Sequence, residues 1–127
     1  MKFKFLEHTA DAKFQAFGKT LEEAFINAAL ATNKIITEDK IKTKIKKKIK
    51  VSGSDKKSLL YNFLEELLFL IDTKNFIASK IKELKIKNNT ITAILIGDNI
   101  KNYEIKNHIK AVTYNEMFIE QENNKYI

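Results

Sequence analysis

Cysteine and arginine are both absent from this 127-residue chain. Without cysteine there is neither a disulfide framework nor a zinc-thiolate site, and an oxidising compartment is not indicated. All 23 basic residues are lysine. Because arginine is the residue that recognises phosphates and bases bidentately, its absence argues against a dedicated reader of nucleic-acid bases.

Glycine is scarce, with three residues, and proline is missing. With so few glycines no phosphate-cradling loop is available, and the sequence has no Walker loop, no dinucleotide-binding fingerprint and no Gly-x-Ser-x-Gly elbow. The two histidines, His8 and His108, do not form an i, i+4 metal-binding pair. We therefore expect that the chain is not an independent nucleotide-hydrolysing or nucleotide-transferring enzyme.

Long apolar runs are also absent, since no segment approaches the roughly 20 apolar residues of a membrane span. The hydrophobic fraction of 44% is enough for one domain with a buried core, and we expect a cytoplasmic protein. The net charge of +7 invites a nucleic-acid interpretation, because clustered cations release counterions from phosphates. A solvated lysine surface is the interpretation that the sequence favours over weak, nonspecific RNA binding.

Period-2 patterns predict several strands along the chain. Residues 2–6 and 13–17 read as strands, and residues 41–51 alternate apolar side chains with lysines, as in a strand with one wet face. Lys47 breaks that alternation, which suggests a bulge or strand end. Residues 76–86, 90–96 and 109–120 also read as strands, and Asn88-Asn89 predicts a hairpin turn between the first two of these.

Two helices are predicted between the strands. Thr20-Leu21-Glu22-Glu23 is a capping box that begins the first helix, and Asp55 is the expected N-cap of the second. Apolar residues cover more than half of the second helix, over residues 55–71, so it should be the central buried helix. The irregular order of elements predicts an α+β fold in two layers, with a mixed or mostly antiparallel sheet under two helices.

Two local motifs carry polar residues between or beside apolar strands. In His8-Thr9-Ala10-Asp11 an imidazole and a carboxylate share one loop, although Asp11 equally suits an Asx turn and His8 a strand end. Lys110-Ala111-Val112-Thr113-Tyr114 places a lysine at the start of a strand. Most lysines in that position are only solvated.

Taken in order along the chain, these motifs resemble the archease family. The resemblance covers nearly the whole chain and includes the start of the first helix and the leucine-rich second helix. The ordered pair of His-Thr-Ala-Asp near the start and Lys-Ala-Val-Thr-Tyr near the end is its specific part.

The resemblance implies a cofactor protein of the RtcB-type RNA ligase in tRNA splicing and RNA repair. Such a protein promotes guanylylation of the ligase and thereby its multiple turnover, and it meets tRNA or other RNA through the ligase. The resemblance further implies a divalent metal ion, calcium in relatives of known structure, with Asp11 as a metal ligand. It makes Lys110 the functional lysine. It also places His8 and Glu7 among the functional residues that contact the partner.

The sequence departs from the family pattern at two places. Glu7 stands where the family usually has aspartate, which preserves the charge. The family's last strand ends in an Asp-Ile pair, whereas this sequence stops at Asn123-Asn124-Lys125-Tyr126-Ile127. We therefore expect a single domain over residues 1–127 that lacks the final strand, and a weak calcium site, because calcium prefers about 6–8 oxygen ligands.

Two alternative functions remain open from the sequence. A lysine-rich RNA-binding module without ligase specificity would show a contiguous basic patch with exposed aromatic side chains. A chaperone-like protein would suppress aggregation without affecting ligase turnover.

Overall fold

The computed structural model describes residues 2–6, 13–105, 121–122 and 125–126. Two helices lie between strands in the order β1 (Phe3–Leu6), β2 (Lys13–Ala16), α1 (Leu21–Ile36), β3 (Ile45–Ser52), α2 (Lys56–Lys74), β4 (Phe76–Lys87), β5 (Thr90–Asn99), a 3₁₀ turn (Ile100–Asn102), β6 (Gln121–Glu122) and β7 (Lys125–Tyr126). Every strand pair among the described residues is antiparallel. The predicted α+β class is confirmed.

The main sheet has the strand order β3-β5-β4, so β5 is its central strand. β4 and β5 form a hairpin through Asn88 and Asn89, whose φ angles are 53° and 55°. Two successive left-handed residues are what the favoured two-residue hairpin turn requires, and asparagine tolerates that conformation better than most residues. The hairpin predicted from the Asn-Asn pair is therefore confirmed.

Both helices begin where their capping residues predicted. The Thr20 hydroxyl accepts a 3.1 Å bond from the backbone N–H of Glu23, and the Glu23 carboxylate accepts a 3.3 Å bond from the backbone N–H of Lys19. The Asp55 carboxylate accepts a 2.7 Å bond from the backbone N–H of Ser58. Helix α2 ends at Asn75, which is left-handed with φ 54°. These caps satisfy backbone groups that have no partner inside the helix.

The core lies between the two helices and one face of the main sheet. Leu59 and Phe63 of α2 are fully buried, as are Ile91 and Leu95 of β5. Phe25 of α1 stacks against Phe63 with ring centroids 6.1 Å apart. Six of the 19 residues of α2 are buried, against nine of the 16 residues of α1. The predicted apolar face of α2 therefore does pack into the core, but α2 is not the more buried of the two helices.

Strand β3 begins later than the alternating pattern predicted. Residues 41–44 are not in a strand, and Ile41 instead joins a second buried cluster with Ile36, Leu68 and Ile77. The carbonyl of Ile41 accepts a 2.7 Å bond from the Ser79 hydroxyl. The alternation over 41–43 therefore reflects burial of Ile41 against the end of the sheet, whereas the backbone N–H of Lys44 donates a 2.8 Å bond to the carbonyl of Gly97 on β5.

The bulge predicted at Lys47 is wrong, because β3 and β5 pair without a break from Ile45 to Ser52. Lys47 lies opposite the buried Leu95 and so points to the helix-covered face. Its ammonium lies 5.7 Å from the ring centroid of Phe76. The flexible aliphatic stem lets a lysine occupy an inward position while its charge meets an aromatic face. The strand predicted at residues 109–120 lies outside the described residues.

Candidate functional site

The four sequence-predicted site residues, Glu7, His8, Asp11 and Lys110, lie outside the described residues. The described structure does fix both ends of the segment that carries the first three. β1 and β2 pair from Phe3 opposite Ala16 to Leu6 opposite Lys13. Residues 7–12 therefore connect two strand ends that are held side by side.

This hairpin is tied to the first helix. The backbone N–H of Phe17 donates a 2.8 Å bond to the carbonyl of Lys2, which extends the strand pairing by one step. The buried side-chain amide of Asn27, on α1, donates a 2.7 Å bond to the carbonyl of Phe17. Helix α1 packs against both strands of the hairpin. The scaffold beneath the His-Thr-Ala-Asp motif is thus anchored to a helix of the core.

The structure describes one polar cluster that the sequence did not single out, at the end of β5. Asp98 is 4% exposed, and its carboxylate accepts hydrogen bonds from the Tyr103 hydroxyl at 2.7 Å and from the backbone N–H of Asn99 at 2.8 Å. The Asn102 amide adds a longer bond of 3.4 Å. The Tyr103 bond is the first cause of a pKa of Asp98 below its ordinary value, because hydrogen bonds to a carboxylate favour its charged form.

Close packing of β4 against β5 fixes the place of Asp98. The preceding residue is Gly97, and a Cβ there would lie 1.9 Å from the carbonyl oxygen of Ile77 on β4. Only glycine therefore permits this approach of the two strands. Asp98 lies opposite Ile77 in the register, so its position follows directly from that approach.

Tyr103 links this strand end to the connection between α1 and β3. Its hydroxyl accepts a 2.8 Å bond from the backbone N–H of Lys42 while donating to Asp98. Burial is the first cause that raises the pKa of Tyr103, and the bond to Asp98 is the second. Glu104 donates its backbone N–H to the Asp39 carboxylate at 2.9 Å. The segments around residues 39–42 and 98–104 therefore form one hydrogen-bonded junction.

The polar groups of this junction satisfy one another's hydrogen bonds. No buried side-chain polar atom in the described part of the chain lacks a partner. Among the described residues, no group of three or more histidine, cysteine, aspartate or glutamate side chains could hold a metal ion. A pattern that could have revealed the junction is Asp98-Asn99 at a strand end with Tyr103 five residues later.

Across the described residues, neither helix is long and apolar enough to cross a membrane.

Comparison with known proteins relates nearly the whole chain to one family. The model of the Archease protein family matches residues 3–127. The chain is 38% identical over 130 residues to the protein archease of Sulfolobus acidocaldarius, covering 99% of this chain and 94% of that protein. It is 41% identical over 122 residues to the protein archease of Pyrococcus furiosus, covering 91% and 85% respectively.

Two solved structures share the fold. The solution structure of Methanobacterium thermoautotrophicum protein 1598 matches with a TM-score of 0.82 and 35% identity, covering 98% of this chain and 93% of that one. A Thermotoga maritima crystal structure, described as "an archease, possible chaperone", matches with a TM-score of 0.66 and 18% identity, covering 97% and 90%. The second likeness supports the fold alone.

Proposed function

Since the chain belongs to the archease family, we propose that it is an accessory protein that promotes guanylylation and multiple turnover of an RtcB-type RNA ligase. The observation that carries the proposal is the family match over residues 3–127, which includes both the His8-Thr9-Ala10-Asp11 motif and the Lys110-Ala111-Val112-Thr113-Tyr114 motif. In this role the protein serves tRNA splicing and RNA repair and meets RNA through the ligase.

The acidic side chain proposed for metal binding is Asp11. Carboxylate oxygens are the ligands that calcium and other hard divalent cations prefer, so this donor fits such an ion. When bound, the cation supplies positive charge next to a GTP-dependent reaction. The anchored hairpin of β1 and β2 supports the proposal, because it holds the two ends of the segment that carries this carboxylate.

Lys110, His8 and Glu7 complete the proposed functional set, as residues that contact the partner. Lys110 acts as a positive point charge that contacts a phosphate group or an acidic group of the ligase. His8 lies three residues before Asp11 in the same segment and contacts the partner.

Asp11→Asn is the variant that tests the proposal. Asparagine keeps the shape of aspartate and makes an Asx turn equally well, but it lacks the charge that a cation requires. We expect the variant to abolish stimulation of ligase guanylylation while its melting temperature stays close to that of the wild type. The measurement is the amount of guanylylated ligase formed from GTP, with and without each protein, alongside calcium titration by calorimetry.

The matched control is Asp72→Asn, which removes the same charge from an exposed position in the last turn of α2. This control should stimulate the ligase like the wild type. Normal stimulation by Asp11→Asn would reject the metal role. A wild-type protein that suppresses aggregation of a denatured enzyme but never alters ligase turnover would favour the chaperone-like alternative.

A further inference from the structure

The main sheet has one face that the helices do not cover. Along the central strand β5, the residues facing the helices are buried, as Ile91, Ala93 and Leu95 illustrate. The alternate residues face outward because successive side chains of a strand point to opposite faces. These outward residues are Thr90, Thr92, Ile94 and Ile96, and each of them is partly or fully exposed.

The register of the neighbouring strands places lysines on both sides of this central line. Directly opposed residues of paired strands lie on the same face. Ile94, for example, lies between Lys48 of β3 and Lys82 of β4, and Ile96 lies between Lys46 and Lys80. The outer face, as we call it, carries seven exposed lysines in two rows: Lys46, Lys48 and Lys50 on β3, and Lys80, Lys82, Lys85 and Lys87 on β4.

Within the three described strands of this sheet, acidic residues do little to neutralise these rows. β3 contains none, and the two acidic residues of β4 and β5 are Glu83 and Asp98. Glu83 lies in the bulge between Lys82 and Lys85, with a φ of 52°. Asp98 is buried at the end of β5, where Tyr103 and Asn99 hold its carboxylate. The outer face therefore presents a strongly positive surface.

The geometry of the two rows suits a linear polyanion. Alternate residues along a strand are about 6.6 Å apart, and two strands separated by a third are about 10 Å apart. The lysines thus border a strip about 20 Å long whose middle is formed by threonine hydroxyls and isoleucine side chains. Because lysine is a point charge that lacks the fork of arginine, such a strip can attract phosphates without reading bases.

We propose that the outer face binds the phosphate backbone of single-stranded RNA along strand β5, without base preference. The central line contains no aromatic residue, so the stacking platform of a base-reading surface is missing from it. An acidic protein is the other polyanion to consider. Protein interfaces are depleted in lysine and rely on aromatic or arginine anchors in their centre, which this strip lacks. The observations therefore favour RNA.

This inference does not depend on the proposed ligase partnership, because it concerns binding of RNA by the isolated protein. The two proposals can therefore fail separately. The function above places RNA contact in the ligase, whereas the outer face gives this protein an RNA contact of its own.

The test compares two variants with the same net charge. In the face variant Lys48, Lys50, Lys82 and Lys85 are changed to glutamine, which removes two charges from each row. In the control variant the exposed residues Lys19, Lys40, Lys74 and Lys101, which lie outside the three strands, are changed in the same way. Glutamine keeps most of the side-chain length, so both variants should retain the fold, as checked by circular dichroism.

Fluorescence anisotropy with a labelled oligouridylate of about 10 nucleotides measures the binding. We expect a Kd of about 10⁻⁴–10⁻⁶ M near physiological salt, weakening steeply as salt rises. The face variant should bind about tenfold more weakly or worse. The slope of the logarithm of the binding constant against the logarithm of the salt concentration should flatten by about two to three units, because each lost phosphate contact removes about 0.7. The control variant should stay within about twofold of the wild type.

Two further measurements complete the design. One keeps the positive charge of the four face lysines, and the other changes the base of the RNA. Replacing the same four face lysines with arginine should preserve binding, and an oligoadenylate should bind within about threefold of the oligouridylate, because only phosphates are contacted. Equal losses in the face and control variants, strong base preference, or no saturable binding at low salt would each overturn the proposal. An unchanged RNA affinity of the face variant combined with weaker ligase binding would assign the outer face to an acidic protein instead.

Discussion

At the scale of single residues, Asp98 and Tyr103 show how a charged group is kept inside the fold. The carboxylate is buried because three donors from residues 99–103 surround it, and the tyrosine hydroxyl that donates to it also accepts a backbone N–H from Lys42. A buried charge without such donors would be strongly destabilising. Through the Tyr103 hydroxyl, the connection between α1 and β3 is therefore hydrogen-bonded to the end of β5.

Tyr103→Phe should raise the pKa of Asp98 toward its ordinary value, because it removes the first cause of the lowered pKa. The measurement is a pH titration of the aspartate carboxyl carbons by NMR. Asp55 is the internal control, since its lowered pKa depends first on Ser58 and should not move. A pKa of Asp98 that stays unchanged in the variant would contradict this account of its environment.

The same bond makes a prediction about acid stability. A carboxyl whose pKa is lower in the folded state stabilises the protein above its unfolded pKa, and that contribution is lost as the pH falls through the folded pKa. Tyr103→Phe should therefore reduce the stability lost between neutral and acidic pH relative to the wild type. Urea unfolding at a series of pH values measures the difference.

At the scale of elements, helix α2 contributes six buried residues to the core. Leu64 is 3% exposed in the main cluster, whereas Phe69 on the same helix is 55% exposed. Leu64→Ala should lower the free energy of unfolding by about 2–5 kcal/mol, because it leaves a cavity. Phe69→Ala is the matched control and should cost under about 1 kcal/mol in urea unfolding. Similar costs for the two variants would mean that α2 is not buried on the side described.

The elements that could be predicted from the sequence are those with strong local signals. Thr20 and Asp55 mark helix starts because their side chains satisfy backbone amides, and Asn88-Asn89 marks the hairpin because both residues tolerate positive φ. Prediction failed where a tertiary contact replaced the local signal. Ile41 continues the alternation of β3 but is buried against Leu68 and Ile77, and Lys47 is held on the inner face by Phe76.

The candidate functional residues fall into two groups, one predicted from sequence motifs and one that only the folded structure reveals. Glu7, His8, Asp11 and Lys110 were predicted through their motifs, lie outside the described residues and stay predictions. The lysine alternation in β3 was interpreted as a solvated strand face, since one strand alone gives one row of charge. The second row appears only through the register of β4 with β5, which no local pattern contains. The Asp98–Tyr103 contact likewise depends on how the segment after β5 folds back.

At the scale of the whole molecule, the proposed ligase motifs and the outer face belong to different parts of the chain. The His-Thr-Ala-Asp motif lies between β1 and β2, which pair with each other, whereas the outer face belongs to the separate sheet β3-β5-β4. Ligase assistance and RNA binding should therefore be separable by mutation. Guanylylation of the ligase by GTP is the assay that separates them, because it contains no RNA.

Lys110→Ala should lower this guanylylation, because the variant removes a positive charge that we propose contacts a phosphate or the ligase. The face variant with glutamine at Lys48, Lys50, Lys82 and Lys85 should instead stimulate guanylylation of the ligase as the wild type does, at limiting concentrations of the accessory protein. Unimpaired stimulation by Lys110→Ala would reject the proposed role of Lys110. Reduced guanylylation with the face variant would show that the outer face serves the ligase rather than RNA.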